Sequence, residues 1–311
     1  MDRPLLVSIS CITYNHAPYI RQCLDGFLMQ KTDFAFEILI HDDCSTDGTA
    51  EIIKEYESQY PDIIKPLYEE ENQWIKGRRG SAVFNFPRAK GKYIAMCEGD
   101  DYWTDPLKLQ KQVDFLEKHK DYVMTYTDAV VVDKDNKRLL HRTPRRYSGN
   151  ITRELLENGN FIVTASTCFL NLYKDYEKEF DNLPFKLVMG DKLMWLYYST
   201  IGKIHYFKEK MVAYRVVQES ASHSSNKDKL IAFNDNGELI TKYFNKRYNI
   251  GLSDEAIELK YSISRVRAMA KISREEFKRT WIELVKENKK VLLNIRLDII
   301  SFVRIVLNKK I

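Results

Sequence analysis

Short β-branched runs alternate with stretches of helical periodicity through the first half of the chain, and few folds accept that alternation. Leu6–Thr13 reads as a buried strand. Beyond Pro18, the residues Ile20, Cys23, Leu24, Phe27 and Leu28 fall on one helical face at i, i+3, i+4, i+7 and i+8. Phe36–His41 reads as a second strand. Thr49–Gln59 reads as a helix preceded by Ser45, Thr46 and Asp47, each a good N-cap, and stopped by Pro61. Further strands are predicted near Ile63–Tyr68, over Tyr93–Cys97 and over Tyr122–Val132. A helix is predicted to open at Asp105–Pro106, with Leu109, Val113 and Leu116 as its apolar stripe. Strands and helices in this order specify an α/β domain built from βαβ crossovers.

From Asp133 to about Ser225 the pattern is irregular, as expected of the mixed half of such a domain, and it does not order the strands. After Asn226 the chain turns helical and charged, which divides it into a domain over 1–225 and a C-terminal helical extension over 226–311. Lys and Arg number 49 against 44 Asp and Glu, a net charge of +5 that is too weak a bias for a nucleic-acid partner. With 44% hydrophobic and 30% charged residues the chain has material for a core, which excludes a disordered or fibrous class. Its five cysteines are scattered and form no CxxC pair, so neither a disulfide framework nor a structural zinc site is indicated, and a reducing cytoplasmic setting fits. The N-terminus lacks the pattern of a secretion signal, and no window approaches 18 uninterrupted apolar residues.

Two acidic clusters follow predicted strands, where open α/β sheets bind ligands: DDCSTDGT at 42–49 and EGDDYWTDP at 98–106. A calcium loop of the EF-hand type starting at Asp43 would need Glu at its twelfth position, and Lys54 stands there. A capped turn accounts for Ser45, Thr46 and Asp47 but leaves two adjacent carboxylates before the turn unexplained. The pair Asp100–Asp101 suits magnesium or manganese, which take hard oxygen ligands and keep positions for phosphate oxygens; a solvated turn is the alternative. Asp105 reads as a helix cap. Lys76, Arg78 and Arg79 either clamp a diphosphate or an anionic acceptor, or belong to a solvated loop. Tyr102 and Trp103 either wall an acceptor site or pack in the core.

Four segments, SISCITYN at 8–15, DDCSTDGT at 42–49, AKGKYIAMCEGDDYW at 89–103 and MGDKLMW at 189–195, lie in order within residues 5–225. Together they resemble a family 2 inverting glycosyltransferase. The resemblance implies the GT-A (nucleotide-diphospho-sugar transferase) fold, with a mixed central sheet flanked by helices. It also implies a nucleotide-sugar donor, taken as UDP-linked, and a divalent cation, Mn2+ or Mg2+, at an aspartate motif that here reads Gly99, Asp100, Asp101. Carried over by position, the pattern puts Tyr14 against the donor base, Asp43 on the base or its ribose, Asp100 on the ribose and Asp101 on the metal. Those types suit those roles: an aromatic face stacks, a carboxylate accepts from imide or hydroxyl, and a cation neutralises the departing diphosphate. Asp191 matches the general base that deprotonates the acceptor hydroxyl, and direct displacement inverts the anomeric centre. Two departures stand out. Relatives usually carry Glu-Asp where this chain has Gly190–Asp191. In YRVVQESASHSS at 214–225 no histidine follows Arg215 at the usual short distance, which leaves His223 as the candidate to touch metal or diphosphate, or as a surface histidine.

The implied activity is transfer of a sugar to a hydroxyl of a saccharide or lipid-linked acceptor in surface polysaccharide biosynthesis, in the cytoplasm or at the inner face of a membrane. A sugar-1-phosphate nucleotidyltransferase would need a glycine-rich loop after its first strand, and SISCITYNHAP contains no glycine. A nucleotide-sugar or carbohydrate-binding module on the same fold is the other alternative, against which stand the intact Asp43, Asp100, Asp101 and Asp191. In residues 291–311, Leu292, Ile295, Ile299, Phe302, Val303 and Val306 recur at helical spacing. From Lys286 onward seven basic residues stand against two acidic ones, an excess as large as that of the whole chain. That segment reads either as a peripheral contact with an anionic leaflet or as a helix packed on the catalytic domain or on a homodimer partner.

Overall fold

The computed structural model describes residues 3–77, 80–140, 145–180, 183–188, 190–217, 226–270 and 272–287. The strands are β1 (Leu5–Thr13), β2 (Ala35–Asp42), β3 (Ile64–Tyr68), β4 (Tyr93–Met96), β5 (Tyr102–Trp103), β6 (Tyr122–Val132), β7 (Cys168–Leu170) and β8 (Lys203–Arg215). They form one sheet in the order β3-β2-β1-β4-β7-β6-β8-β5. The pairs β1–β2, β1–β4, β2–β3 and β6–β8 are parallel; β7 runs antiparallel to β4 and β6, and β5 antiparallel to β8. The sheet is therefore mixed. Its parallel half is the part that the alternation of strand and helix patterns predicts.

Helices α1 (Ile20–Leu28), α2 (Thr49–Gln59), α3 (Ser81–Phe84), α4 (Lys108–Lys118), α5 (Thr152–Asn158) and α6 (Tyr173–Phe180) connect the strands, followed by α7 (Asp191–Ile201), α8 (Lys227–Arg247), α9 (Asp254–Met269) and α10 (Arg274–Glu287). The apolar face of α1 (Ile20, Cys23, Leu24 and Phe27) and the α4 stripe (Leu109, Val113 and Leu116) share one core with Val7, Ile9 and Cys11 of β1. Each such large side chain, fully buried, contributes about 1.5–3 kcal/mol. All five cysteines are free. Among the described residues no helix is long and apolar enough to cross a membrane.

Two helix starts differ from the sequence reading. The N-cap of α2 is Gly48, with φ 96°, and not Ser45, Thr46 or Asp47. Glycine enters this left-handed region without the Cβ clash that other residues meet. The polar residues before it brace the loop after β1: Asn15 N donates to Ser45 Oγ (2.9 Å), Ala17 N to Asp47 Oδ2 (3.0 Å) and Thr46 N to Asn15 Oδ1 (2.8 Å). Asp47 also reaches the helix start, its Oδ1 accepting Thr49 N (3.1 Å) and the Thr49 hydroxyl (2.6 Å). In α4 the helix begins at Lys108, past Pro106, while the Asp105 carboxylate accepts the Leu107 N–H (2.8 Å).

The chain falls into two compact units. Met1–Leu183 with Met194–Val216 carries the sheet, and Pro184–Leu193 with Val217–Ile311 carries α8, α9 and α10. In the second unit Asn226 and Ser253 cap α8 and α9 through their side chains. Arg265 of α9 forks onto Asp235 (2.8 Å) and Glu238 (2.5 Å) of α8. The helices predicted as an extension over 226–311 thus share their unit with an earlier stretch, Pro184–Leu193.

Candidate functional site

The place of the site is set by strand order. β1 pairs with β2 on one side and β4 on the other, so the carboxyl ends of β1 and β4 mark a switch point of the kind where open sheets bind ligands. The backbone beyond β2 and β4 closes on Ile12 and Thr13, the end of β1. Asp43 N donates to Thr13 O (3.0 Å), and Gly99 N donates to Ile12 O (3.0 Å), which carries the residues after β4 along β1. Gly99 has to be glycine for this approach, because a Cβ there would lie 2.6 Å from Thr13 Oγ1 and 3.0 Å from His16 Nδ1. A turn closed by Asp101 N donating to Glu98 O (3.1 Å) then presents Asp100 and Asp101.

Each sequence-predicted residue has a distinct environment. Tyr14, directly after β1, is 44% exposed. Asp43 is buried, and its carboxylate accepts Gln73 N (2.6 Å) and Trp74 N (3.1 Å), which folds the loop after β3 around it. Each carboxylate oxygen retains accepting capacity after one such bond. Asp100 is half-buried and Asp101 is 3% exposed. Burial, reinforced by the charges of Asp100 and Glu98, pushes the Asp101 carboxyl well above its ordinary range, against the opposing pull of Arg215. A desolvated carboxylate crowded by two others fits a cation. Among the described residues no group of three or more His, Cys, Asp or Glu side chains converges as a metal site. Asp101 would therefore hold an ion with few protein ligands, in the manner of magnesium, whose shell is completed by water and substrate phosphate oxygens.

Arg215, at the end of β8, builds this corner from the far side of the sheet. Its N–H donates to Asp101 Oδ1 (2.7 Å) and its Nε to Asp100 O (2.7 Å). Its guanidinium also reaches Asn136 Oδ1 (3.0 Å) and Gln22 Oε1 (2.9 Å) and lies 4.5 Å from the Tyr19 ring. His16 sits near Asp42, Asp47 and Asp100; burial, helped by Arg215, lowers its pKa and outweighs the attraction of the carboxylates. The buried atoms Thr13 Oγ1 and His16 Nδ1 have no hydrogen-bond partner among the described residues. In the sequence Arg215 is marked only by the Tyr-Arg pair, and nothing in the spacing singles out His16 or Thr13.

Other candidates separate. Trp103 belongs to the core: it is 2% exposed, its Nε1 donates to Ala165 O (2.9 Å) and its ring meets Phe27 edge-on. Tyr102 keeps partial exposure with the Arg215 guanidinium 5.4 Å from its ring. Lys76 pairs with Glu71 (2.5 Å) on an exposed loop. Arg78, Arg79, His223 and residues 291–311 lie outside the described residues. Asp191 opens α7, half-buried, and its Oδ1 accepts the N–H of Lys192 (2.8 Å). Tyr14, Asp43, Asp100 and Asp101 belong to the sheet unit, whereas Asp191 belongs to the helical one. At Gly190, where relatives of the resembled family usually carry Glu, a Cβ would meet nothing within 4 Å.

The profile of Glycosyl transferase family 2 matches residues 8–180, more than half the chain. An uncharacterised protein of Mycobacterium tuberculosis is 33% identical over 223 residues, which is 72% of this chain and 62% of that protein, so the chain spans less than two thirds of this relative. Among solved structures, S. aureus TarS 1–349 in complex with UDP superposes with a TM-score of 0.59 at 19% identity, over 89% of this chain and 78% of that one. The mannosyltransferase PcManGT from Pyrobaculum calidifontis, in complex with GDP-Man and Mn2+, superposes with a TM-score of 0.56 at 14% identity, over 95% and 81% of the two chains. At these identities the structural likeness shows the shared GT-A fold.

Proposed function

We propose that this chain, which belongs to glycosyl transferase family 2, moves a sugar from a UDP-sugar to a hydroxyl of a saccharide or lipid-linked acceptor, with inversion at the anomeric carbon. The observation that carries this reading is the meeting of Tyr14, Asp43 and the Asp100–Asp101 turn around the end of β1. The Tyr14 ring stacks on the base. Asp43 accepts from the base imide or the ribose, and Asp100 from ribose hydroxyls. Asp101 holds a divalent cation, Mn2+ or Mg2+, which when bound offsets the charge of the departing diphosphate. Asp191 takes the proton of the acceptor hydroxyl as its oxygen bonds to the anomeric carbon. The bond from that carbon to the diphosphate breaks, the diphosphate leaves with the electron pair, and one displacement inverts the centre.

Support for the donor class comes from the two solved neighbours, one holding UDP and the other GDP-Man with Mn2+. The choice of UDP between those two follows from the family resemblance. The acceptor class and a setting in surface polysaccharide assembly at the cytoplasmic face of a membrane follow from the family resemblance. Residues 291–311 would then contact an anionic leaflet or a second copy of the chain.

A panel of UDP-glucose, UDP-galactose and UDP-N-acetylglucosamine, screened with Mn2+ for release of UDP, tests the reading. One donor should be turned over slowly with water as acceptor, and Asp101→Asn should abolish that turnover while leaving the fold intact. Equal release in excess chelator, or full activity in Asp101→Asn, would remove the metal from Asp101. Tight UDP binding with no release from any donor would point instead to a binding module.

A further inference from the structure

The residue after Asp191 is a lysine that the fold buries. Lys192 is 3% exposed, and its Nζ donates to Gly237 O (3.0 Å), to Thr241 Oγ1 (2.7 Å) and to the Tyr261 hydroxyl. The Thr241 and Tyr261 hydroxyl oxygens are themselves 2.7 Å apart. None of the three partners is a carboxylate. Burying an amine away from a counter-ion is costly unless every donor is satisfied, and here three oxygens satisfy it. Burial, with Lys260 nearby, pushes its pKa well below that of an ordinary lysine. The receptor is made by glycine: a Cβ at Gly237 would come within 3.0 Å of Tyr261 Cε1.

A second tie holds the other end of the same segment. Asn236 Nδ2 donates to Lys186 O (2.7 Å), and Asn236 Oδ1 accepts Val188 N (2.9 Å). The stretch that carries Gly190–Asp191 is thus fastened before and after the aspartate to side chains and backbone of α8 and α9, all within the helical unit. An apolar side chain at 192 would bury as well without specifying direction. A three-point amine and a two-point amide define one placement of the segment between them.

Resting on the reading of Asp191 as general base, we propose that Lys192 and Asn236 are positioning residues that hold the Asp191 carboxylate for proton transfer. On this view α8 and α9 are a working part of the transferase and not an appendage. Removing the anchor should slow the chemical step without touching donor binding, because even a small displacement of a reacting group takes it out of the geometry that proton transfer needs; about 10²-fold is the scale.

The test uses the full chain with Lys192→Met, which keeps the length of the stem and removes the three donors, alongside Asn236→Ala and Asp191→Asn. UDP affinity is read by calorimetry with Mn2+, and kcat and KM by UDP release from the donor that the panel selects. Lys192→Met is expected to leave UDP affinity and KM unchanged and to lower kcat by about 10²-fold. The double variant Lys192→Met with Asp191→Asn should be no slower than Asp191→Asn alone, since both act through one group. A lower melting temperature with kcat unchanged in both anchor variants, while Asp191→Asn is inactive, overturns the anchoring alone. Full activity in Asp191→Asn overturns the base assignment and the anchoring with it. Should Lys192→Met fail to bind UDP through misfolding, Tyr261→Phe, which removes one partner hydroxyl, and Asn236→Ala carry the same comparison of kcat against KM.

Discussion

Asp43 and Asp101 are both buried carboxylates at strand ends, and their surroundings differ in kind. Asp43 is closed on each oxygen by a backbone N–H of the Gln73–Trp74 loop, whereas Asp101 receives the N–H of Arg215 and is crowded by Asp100 and Glu98. The first arrangement orients an acceptor, and the second gathers negative charge that a bound cation would offset. Tyr14 adds an aromatic side chain on a residue that is 44% exposed. Stacking of a base on an aromatic side chain is worth ~1–3 kcal/mol, so Tyr14→Ala should raise the Kd for UDP by about fivefold or more. Asp43→Ala should weaken UDP at least as much, because it removes an acceptor and releases the Gln73–Trp74 loop together. Calorimetry that finds UDP affinity unaltered in both variants would take the nucleobase away from this end of β1.

Among the elements, α4 combines packing with a titratable core group. Its first residue, Lys108, is fully buried; the amine donates to Gln112 Oε1 (2.8 Å) and lies 4.1 Å from the centre of the Trp103 ring. Burial brings its pKa down to about 8. Below that pH both the folded and the unfolded chain carry the proton. Between about pH 8 and the ordinary lysine value near 10.4, the folded chain has released a proton that the unfolded chain still holds, so this site favours folding increasingly as pH rises. Across that window the gain approaches about 3 kcal/mol. Urea unfolding of the parent and of Lys108→Met should therefore show the parent gaining on the variant between pH 7 and pH 10. A stability difference that stays constant with pH contradicts the assignment.

For the whole molecule the question is where the chain works. The basic, apolar stretch over 291–311 suits a membrane surface, where each Lys or Arg adds about 1 kcal/mol near anionic lipid. A helix packed on this chain or on a second copy is the alternative. If the membrane contact is real, the full chain floats with phosphatidylserine-containing liposomes at low salt, and a chain ending at Asn288 stays in the bottom fraction. Equal flotation of the two assigns the segment to packing or to a dimer, which sedimentation of the same pair then distinguishes.

Local pattern by itself determined much of the sheet unit. The span of α2, the course of β6 and the apolar stripe of α4 follow from periodicity, because periodicity reports which side of an element is buried. Tyr14, Asp43, Asp100 and Asp101 stand close after strands that the pattern marks, so their place at the carboxyl edge was legible even though their roles rest on the proposed function. What lies opposite a buried side was not legible. The pairing of β6 with β8, the burial of Trp103 and the reach of Arg215 to Asp100 and Asp101 depend on partners some 60 to 115 residues away. Gly48 takes the cap position of α2, while Ser45, Thr46 and Asp47 tie the helix start to Asn15 and Ala17 across the loop after β1, an arrangement that only the folded loop reveals. The motif around Asp191 is contiguous in sequence, yet Lys192 meets α8 and α9. A short motif encodes side-chain chemistry locally, and the surface that orients it is assembled only when distant helices pack.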